Sequence, residues 1–445
     1  MAGKAVRILR RVLLGGVLVL LLVAGFVGWL LGTESGARFA LDRAQGVAPQ
    51  LTLERASGSV WRGLELEQLR YADEGLEFEA ERLWLEVAWP ALMAGELHVP
   101  RVGLAGGRLV LPATEAEPDA RGEFDLEAML PRLPLAIRVD EVLVQRLTVI
   151  TGPDADPLVL DELRLGAKAD ADAVELVTLE LALDAPARAQ LAVEARLGLA
   201  QPHLLSLSVR GNATVEQGRA ELALSSSGPL AELTSAGELV WTASELPSAS
   251  ARFEVTHGFE SARIEQLVVE TLDGSLTLQG DVGWADALSW ALQASARGLQ
   301  LGELVEAIEG PLAFDLTSQG LLDGEGRLSH ETRLSDASVT AAGVALREVL
   351  LEVGGGLDHA EIKAFSARLL GGELSASGSA QWGEGIGWRL SAIGWELDPG
   401  AFAGAAAGKL GFGLESEGVL DDAGALTHST RLEDLAGEVA GVSFE

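Results

Sequence analysis

Short stretches of the chain alternate apolar and polar residues one by one. Leu76-Glu77-Phe78-Glu79-Ala80 and Leu83-Trp84-Leu85-Glu86-Val87 are clear cases, and Leu176 to Leu183, Leu205 to Val209, Leu222-Ala223-Leu224 and Leu276-Thr277-Leu278 continue the pattern. Successive side chains of a strand point to opposite faces. Leu76, Phe78 and Ala80 therefore share one face and Glu77 and Glu79 the other; Leu83, Leu85 and Val87 share a face in the same way. Runs of this kind recur every 8–12 residues or so between turn residues, which predicts an extended, largely antiparallel sheet. Helical candidates are few: 34–46, Phe124 to Leu130, and Leu301 to Ile308. Ala113 to Arg121, with Pro112 and Pro118 and several acids, reads as an exposed loop.

One stretch breaks the pattern. Val12 to Leu31 is 20 residues without a charge, long enough to cross a hydrocarbon core as a helix. Lys4, Arg7, Arg10 and Arg11 precede it, and no acid appears before Glu34. That asymmetry places the N-terminus in the cytoplasm and the remainder across the membrane. A cleaved signal peptide fits less well, because the apolar run is too long and no A-x-A site follows. Trp29 stands where an interfacial belt residue belongs.

The alternating part repeats itself. Sliding the chain by 98 residues aligns 274–344 with 372–442 without a gap, and 28 of the 71 positions are identical. The pairs include Gly274 with Gly372, Trp284 with Trp382, Trp290 with Trp388, Phe314 with Phe412, Gly320 with Gly418 and His330 with His428. A more degenerate copy lies upstream, where Gly218, Leu222, Leu224, Ser226 and Gly228 echo Gly310, Phe314, Leu316, Ser318 and Gly320. Duplicated units imply growth by stacking against neighbours. The resulting sheet has one long apolar face, and burying it is worth about 25 cal/mol per Å². It must pack a second layer, close on itself, or curl into a trough that holds apolar ligands.

Composition narrows the options. The 48% apolar content excludes global disorder, and 53 glycines suit many short connections. A net charge of −33 argues against nucleic acid as a partner and against a flank that hugs anionic lipid. Zero cysteines fit an oxidising envelope compartment. The six histidines show no metal-ligand spacing. Asp154 with Asp156, and Asp170 with Asp172, lack the rest of a calcium loop and read as solvated turns. Gly354-Gly355-Gly356 and Gly371-Gly372 read as hairpin turns, not phosphate loops. No nucleophile elbow is present, so the reading is of a non-enzyme without cofactor or metal. Trp61-Arg62 before Gly63 fits a membrane-surface contact, since Trp favours interfaces, but the preferred reading is a strand Trp packed beneath a turn with Arg62 pointing to water.

Residues 57 to 100 carry a resemblance. Thr33 and Gly36 after the span, Ser57-Gly58-Ser59-Val60-Trp61-Arg62-Gly63-Leu64, Leu69-Arg70-Tyr71, Trp89-Pro90, and Leu92 to Leu97 with Gly95 inside resemble the N-terminal module of TamB-like proteins, within the AsmA-like superfamily. The match is sharp over roughly the first 110 residues. The resemblance implies a mainly β fold: one N-terminal transmembrane helix, then an elongated, curled, mostly antiparallel sheet, trough- or taco-like, built from repeats. It implies an inner-membrane-anchored periplasmic protein of outer-membrane biogenesis, acting in outer-membrane protein assembly and secretion and in phospholipid transport between the membranes. Implied partners are phospholipid acyl chains, the inner membrane and a TamA-like outer-membrane barrel. The barrel would engage a C-terminal module that this sequence does not contain, and the expectation is of a fragment, with a naturally short relative as the alternative. Expected segments are 1–32, basic tip and anchor; 33–112, TamB-like β module; 113–272, degenerate β repeats; 273–371, a repeat unit; and 372–445, a second, truncated unit. Leu64, Leu66, Leu76, Phe78, Leu83, Leu85 and Val87 are the expected groove lining. Two other readings stand beside this one: a structural or adhesive β-solenoid with a filled core, binding polysaccharide or protein, and another AsmA-like lipid transporter without a barrel partner.

Overall fold

A computed structural model describes residues 29–444, apart from 31, 49, 74, 112–133, 153–155, 245–246, 306, 342, 384, 402–406, 422–423 and 440–441. Residues 12–28 and 31 of the expected span, the loop 113–121 and the turn 124–130 lie outside the described residues. Among the described residues, no helix is long and apolar enough to cross a membrane. The chain forms two compact units, Met1–Ser225 and Ser226–Glu445. Both are mainly β.

The first unit opens with α1 (Glu34–Val47), one residue longer than expected, then β1 (Leu51–Thr52), β2 (Arg55–Ser59), β3 (Gly63–Asp73) and β4 (Leu76–Glu86). A short α2 (Trp89–Leu92) leads to β5 (Glu96–Val99), β6 (Arg101–Val110), β7 (Ala136–Ile150), β8 (Leu158–Ala169), β9 (Ala173–Ala185), β10 (Arg188–Gly198) and β11 (Leu204–Val215). β1 and β2 both pair with β3, and β3–β4, β4–β6 and the strands from β7 to β11 pair antiparallel. The exceptions are β5 and β6, which run parallel to β7. A parallel pair cannot be joined by a tight hairpin and needs a longer crossover connection.

Period-2 alternation does not run unbroken along these strands. Gln68, Gly106 and Arg146 have positive φ values of 54°, 63° and 55°. Extrapolated along the ladders, Gln68 faces Glu81, Glu81 faces Gly106, and Gly106 faces Arg146. The kink thus crosses four strands as one line and reaches β8, where it ends as a bulge against β9 between Leu160 and Glu162. Each strand gains one extra outward residue there, so its apolar set changes parity and stays on one face. Arg146 reaches over Gly106 to the Glu81 carboxylate at 3.0 Å. Gly106 is favoured by its φ, and a Cβ there would also displace the Glu81 side chain that Arg146 holds.

β12 (Gly218–Pro229) spans the division between the units. The second unit continues with β13 (Leu233–Ala243), β14 (Ala249–His257), β15 (Ser261–Thr271), β16 (Gly274–Gly283), β17 (Leu288–Leu299), β18 (Ile308–Leu322), β19 (Leu328–Ala341) and β20 (Val344–Gly355). It ends with β21 (His359–Leu369), β22 (Gly372–Gly383), β23 (Gly385–Leu397), β24 (Gly408–Leu420), β25 (Leu426–Val439) and β26 (Val442–Phe444). From β13 onward each strand pairs antiparallel with the next. The helical candidate at 301–308 is a single 3-10 turn, Leu301–Glu303.

The repeat is structural as well as sequential. Positive φ recurs 98 residues apart at Leu272 and Leu370, and at Asp336 and Asp434. Trp284 Nε1 donates to the Phe259 carbonyl at 2.8 Å, and Trp382 Nε1 to the Leu357 carbonyl at 2.7 Å. Trp290 and Trp388 lie across Gly320 and Gly418, where any Cβ would run into the indole. Gly371 and Gly372 form the hairpin expected of them, with positive φ at Leu370 and Gly371. The run Gly354-Gly355-Gly356 also leads into a hairpin: Gly354 and Gly355 are the last residues of β20, and Gly356 opens the turn to β21, its N–H donating to the His359 carbonyl at 2.9 Å. Gly355 passes so close to His359 and Ala360 that a side chain has no room.

Candidate functional site: an uncovered apolar face

The strand register of the first unit lines its apolar residues into rows. Leu64, Leu85, Val102, Val142, Leu165, Leu179, Val193 and Val209 are successive cross-strand partners. Beside them run Leu66, Leu83, Leu104, Val144, Leu163, Leu181, Leu191 and Gly211. Beyond the kink line a third row passes through Leu69, Ala80, Gly107, Leu147, Leu160, Leu183, Ala189 and Ala213. Directly opposed residues share a face. Strands lie 4.7–4.9 Å apart, so eight of them carry each row for roughly 34 Å. No charged residue interrupts the three rows.

Nothing described lies on top of them as a second layer. Among the described residues no large side chain is fully buried, and the buried apolar set consists of seven alanines, five leucines and one valine. A packed sandwich or a filled solenoid interior would bury its leucines completely. Here Leu104 and Leu160 are 7% exposed, but Leu85 is 37% exposed and most other row members are half-buried. The helix α1 packs on β2, at the edge of the sheet, where Ala37 and Ala56 are buried.

Of the seven expected lining residues, Leu64, Leu66, Leu83 and Leu85 fall in the first two rows. Phe78 joins a shorter one through Tyr71, Leu109, Val149 and Leu158. Leu76 pairs with Asp73 at the hairpin end, and Val87 lies just past β4. Val102, Leu104, Val142, Val144 and the row members of β8 to β11 were not among the expected residues. In Val142-Leu143-Val144 three apolar residues follow one another, so the pattern along the strand does not say which of them share a row.

The opposite face is charged and internally paired. Arg70 lies 3.6 Å from Glu79, Arg82 lies 3.1 Å from Glu65, and Arg55 lies 2.6 Å from Glu67. The second unit, taken by itself, has a charged face with a depression of about 660 Å³ bordered by Arg263, Asp281, Gln319, Glu331, Arg333 and Glu352. Its charges also pair, Arg263 with Asp281 at 2.8 Å and Lys363 with Glu331. The Glu331 carboxyl is held below its usual range by hydrogen bonds from Lys363 and Gln319. No group of three or more potential metal ligands occurs among the described residues.

An uncovered apolar face on a long antiparallel ladder matches the expectation drawn from residues 57 to 100. The family model for the TamB N-terminal domain matches residues 22–149 and 220–336, more than half of the chain. The chain belongs to the TamB family. The first matched segment holds the Ser57–Leu64 motif and the row members from β3 to β6. The second takes in Trp284, Trp290 and the first copy of the repeat up to Asp336. No solved structure matches the chain.

Proposed function

We propose that this TamB-family chain is the N-terminal part of a passive conduit for phospholipid acyl chains. The observation that carries the reading is the set of three apolar rows, continuous over eight strands and without a covering layer among the described residues. An acyl chain laid along them is spared contact with water worth about 0.8 kcal/mol per CH₂. Its headgroup stays at the solvent margin. Transport needs no bond to be made or broken, so no residue is assigned a catalytic role. Residues 12–31 would hold the chain in the inner membrane with its bulk in the periplasm, and the sheet would curl into a trough around its cargo. Support for outer-membrane protein assembly and secretion, and for a TamA-like barrel partner, comes from family membership alone.

The test is native mass spectrometry of the purified chain, which should retain phospholipid. Leu85→Asp places a charge in the first row and should abolish retention, because an unpaired charge interrupts the apolar path. Glu86→Gln, on the other face, should leave it intact. Lipid-free wild-type protein, or equal losses in both variants, would defeat the reading.

A further inference from the structure

One end of the first unit is apolar where the neighbouring strand surface is charged. The turn from β2 to β3 carries Trp61, 52% exposed, and Arg62. The segment after β4 carries Trp89, Leu92 and Met93, and Met93 is 92% exposed. The expected buried strand Trp is therefore not found: Trp61 lies on a turn. It stacks on Trp89 with ring centroids 5.7 Å apart and the planes 15° from parallel. Trp89 Nε1 donates to the Val60 carbonyl at 2.8 Å, which locks the two segments together. Scattered exposed apolar residues need no explanation, but contiguous Trp, Leu and Met at a rigid tip do.

Arg62 is set apart as well. From β2 to β7, every other described arginine lies within 4.0 Å of a carboxylate, whereas Arg62 has none among the described residues. An unpaired guanidinium beside a Trp pair matches a phosphate beneath an interfacial layer.

The tip also points the right way. The chain turns at Ala48 to Leu51 and comes back, because Arg38 in α1 donates to the Ala56 carbonyl of β2 at 3.3 Å. Helix and strand thus run antiparallel, and the end of β2 returns to the end where α1 begins. Trp29, 37% exposed, and the end of the apolar span stand at that same end. With a net charge of −33, little else in the chain is suited to approach anionic lipid.

We propose that Trp61, Trp89, Leu92 and Met93 seat in the interfacial layer of the membrane that holds the anchor, with Arg62 on a lipid phosphate. The inference rests on the anchored-conduit reading and deepens it. Leu64 and Leu85, the start of the first row, are the closest row members to the seat, so a lipid leaving the bilayer there meets apolar side chains at once.

The chain has no cysteine, so Met93→Cys can carry a single environment-sensitive nitrobenzoxadiazole dye in the full chain. In vesicles of phosphatidylethanolamine and phosphatidylglycerol its emission should shift to the blue and be quenched by lipids with a nitroxide near the headgroup. The same dye at Ala72→Cys, about 30 Å along β3, should stay in water. Arg62→Glu should roughly halve the quenching at position 93, because a basic side chain near anionic lipid contributes to the attraction, while Arg62→Lys retains it. Carbonate extraction of the same vesicles reads the anchor separately. A chain that resists extraction while position 93 is as wet as position 72 overturns the seat and leaves the conduit standing. A chain released by carbonate defeats both.

Discussion

The apolar faces of the two units are built from the same alternation but differ in continuity. In the first unit, Leu and Val follow one another across eight strands. In the second, a row runs through Val282, Trp290, Gly320, His330 and Gly355, and its neighbour through Leu292, Ser318, Thr332 and Val353. Trp290 Nε1 donates to Ser318 Oγ at 3.1 Å, and Ser318 and Thr332 hydroxyls lie 3.0 Å apart. The second copy repeats this with Trp388, Ser416 and Thr430 at 3.3 and 3.2 Å. Ser226, Ser235 and His257 form a related chain at 2.7 and 2.9 Å. Repetition therefore copies polar interruptions as faithfully as apolar positions, and the interruptions survive because their hydrogen bonds are satisfied within the row. In the first face the rows carry no such interruptions, and the kink line extends that face along its strands by changing the parity of several of them together.

The largest expected effect tests how unevenly the two faces are buried. Leu104→Ala should cost about 2–5 kcal/mol, since Leu104 is 7% exposed between Leu83 and Val144. Leu432→Ala, 53% exposed beside Leu414, should cost under about 1 kcal/mol. Equal shifts in urea midpoint would show the faces to be equivalent. Next come Trp290→Ala and Trp388→Ala, each expected to cost about 2–3 kcal/mol because the rings are only half-buried. Their costs should agree within about 1 kcal/mol, as the two sites repeat each other. Hydrogen exchange should show protection lost mainly around the altered copy; loss spread evenly over both units would end the stacked-repeat description.

The kink line gives a smaller effect. Gln68→Val places a β-branched residue at a φ of 54° and should cost about 1–2 kcal/mol. Gln190→Val, exposed in β10 without such a φ, should be close to neutral in the same denaturation series. The smallest effect is electrostatic. Hydrogen bonds from His98 and then Arg138 hold the Asp140 carboxyl below its usual range. Its contribution is fully present above the unfolded carboxylate value near 3.9 and fades as pH falls through the lower folded value. Asp140→Asn should therefore flatten the acid limb of a stability–pH curve, with its small cost present at pH 7 and fading as pH falls through the folded value.

Much of this was legible beforehand. The alternation of Leu76 to Val87 and the 98-residue repeat marked strands, faces and equivalent tryptophans, and five of seven expected lining residues do fall in apolar rows. Leu76 and Val87 fell outside because alternation marks no strand end. Trp61 was misjudged because its partner, Trp89, lies 28 residues on, and nothing local announces a stack. The kink line was invisible too, since Gln68 and Arg146 are ordinary strand-surface residues whose left-handed backbone is imposed by neighbours.

The sequence by itself determined which residues can share a face within a strand and which segments copy one another, because both depend on short-range period and identity. Only the tertiary structure decided that those faces join into rows. A strand's pattern carries no record of which residue opposes it, and a one-residue slip would turn the apolar set to the other side. Register is settled by all the pairings together, and here it leaves a long apolar surface that the described part of the chain does not cover.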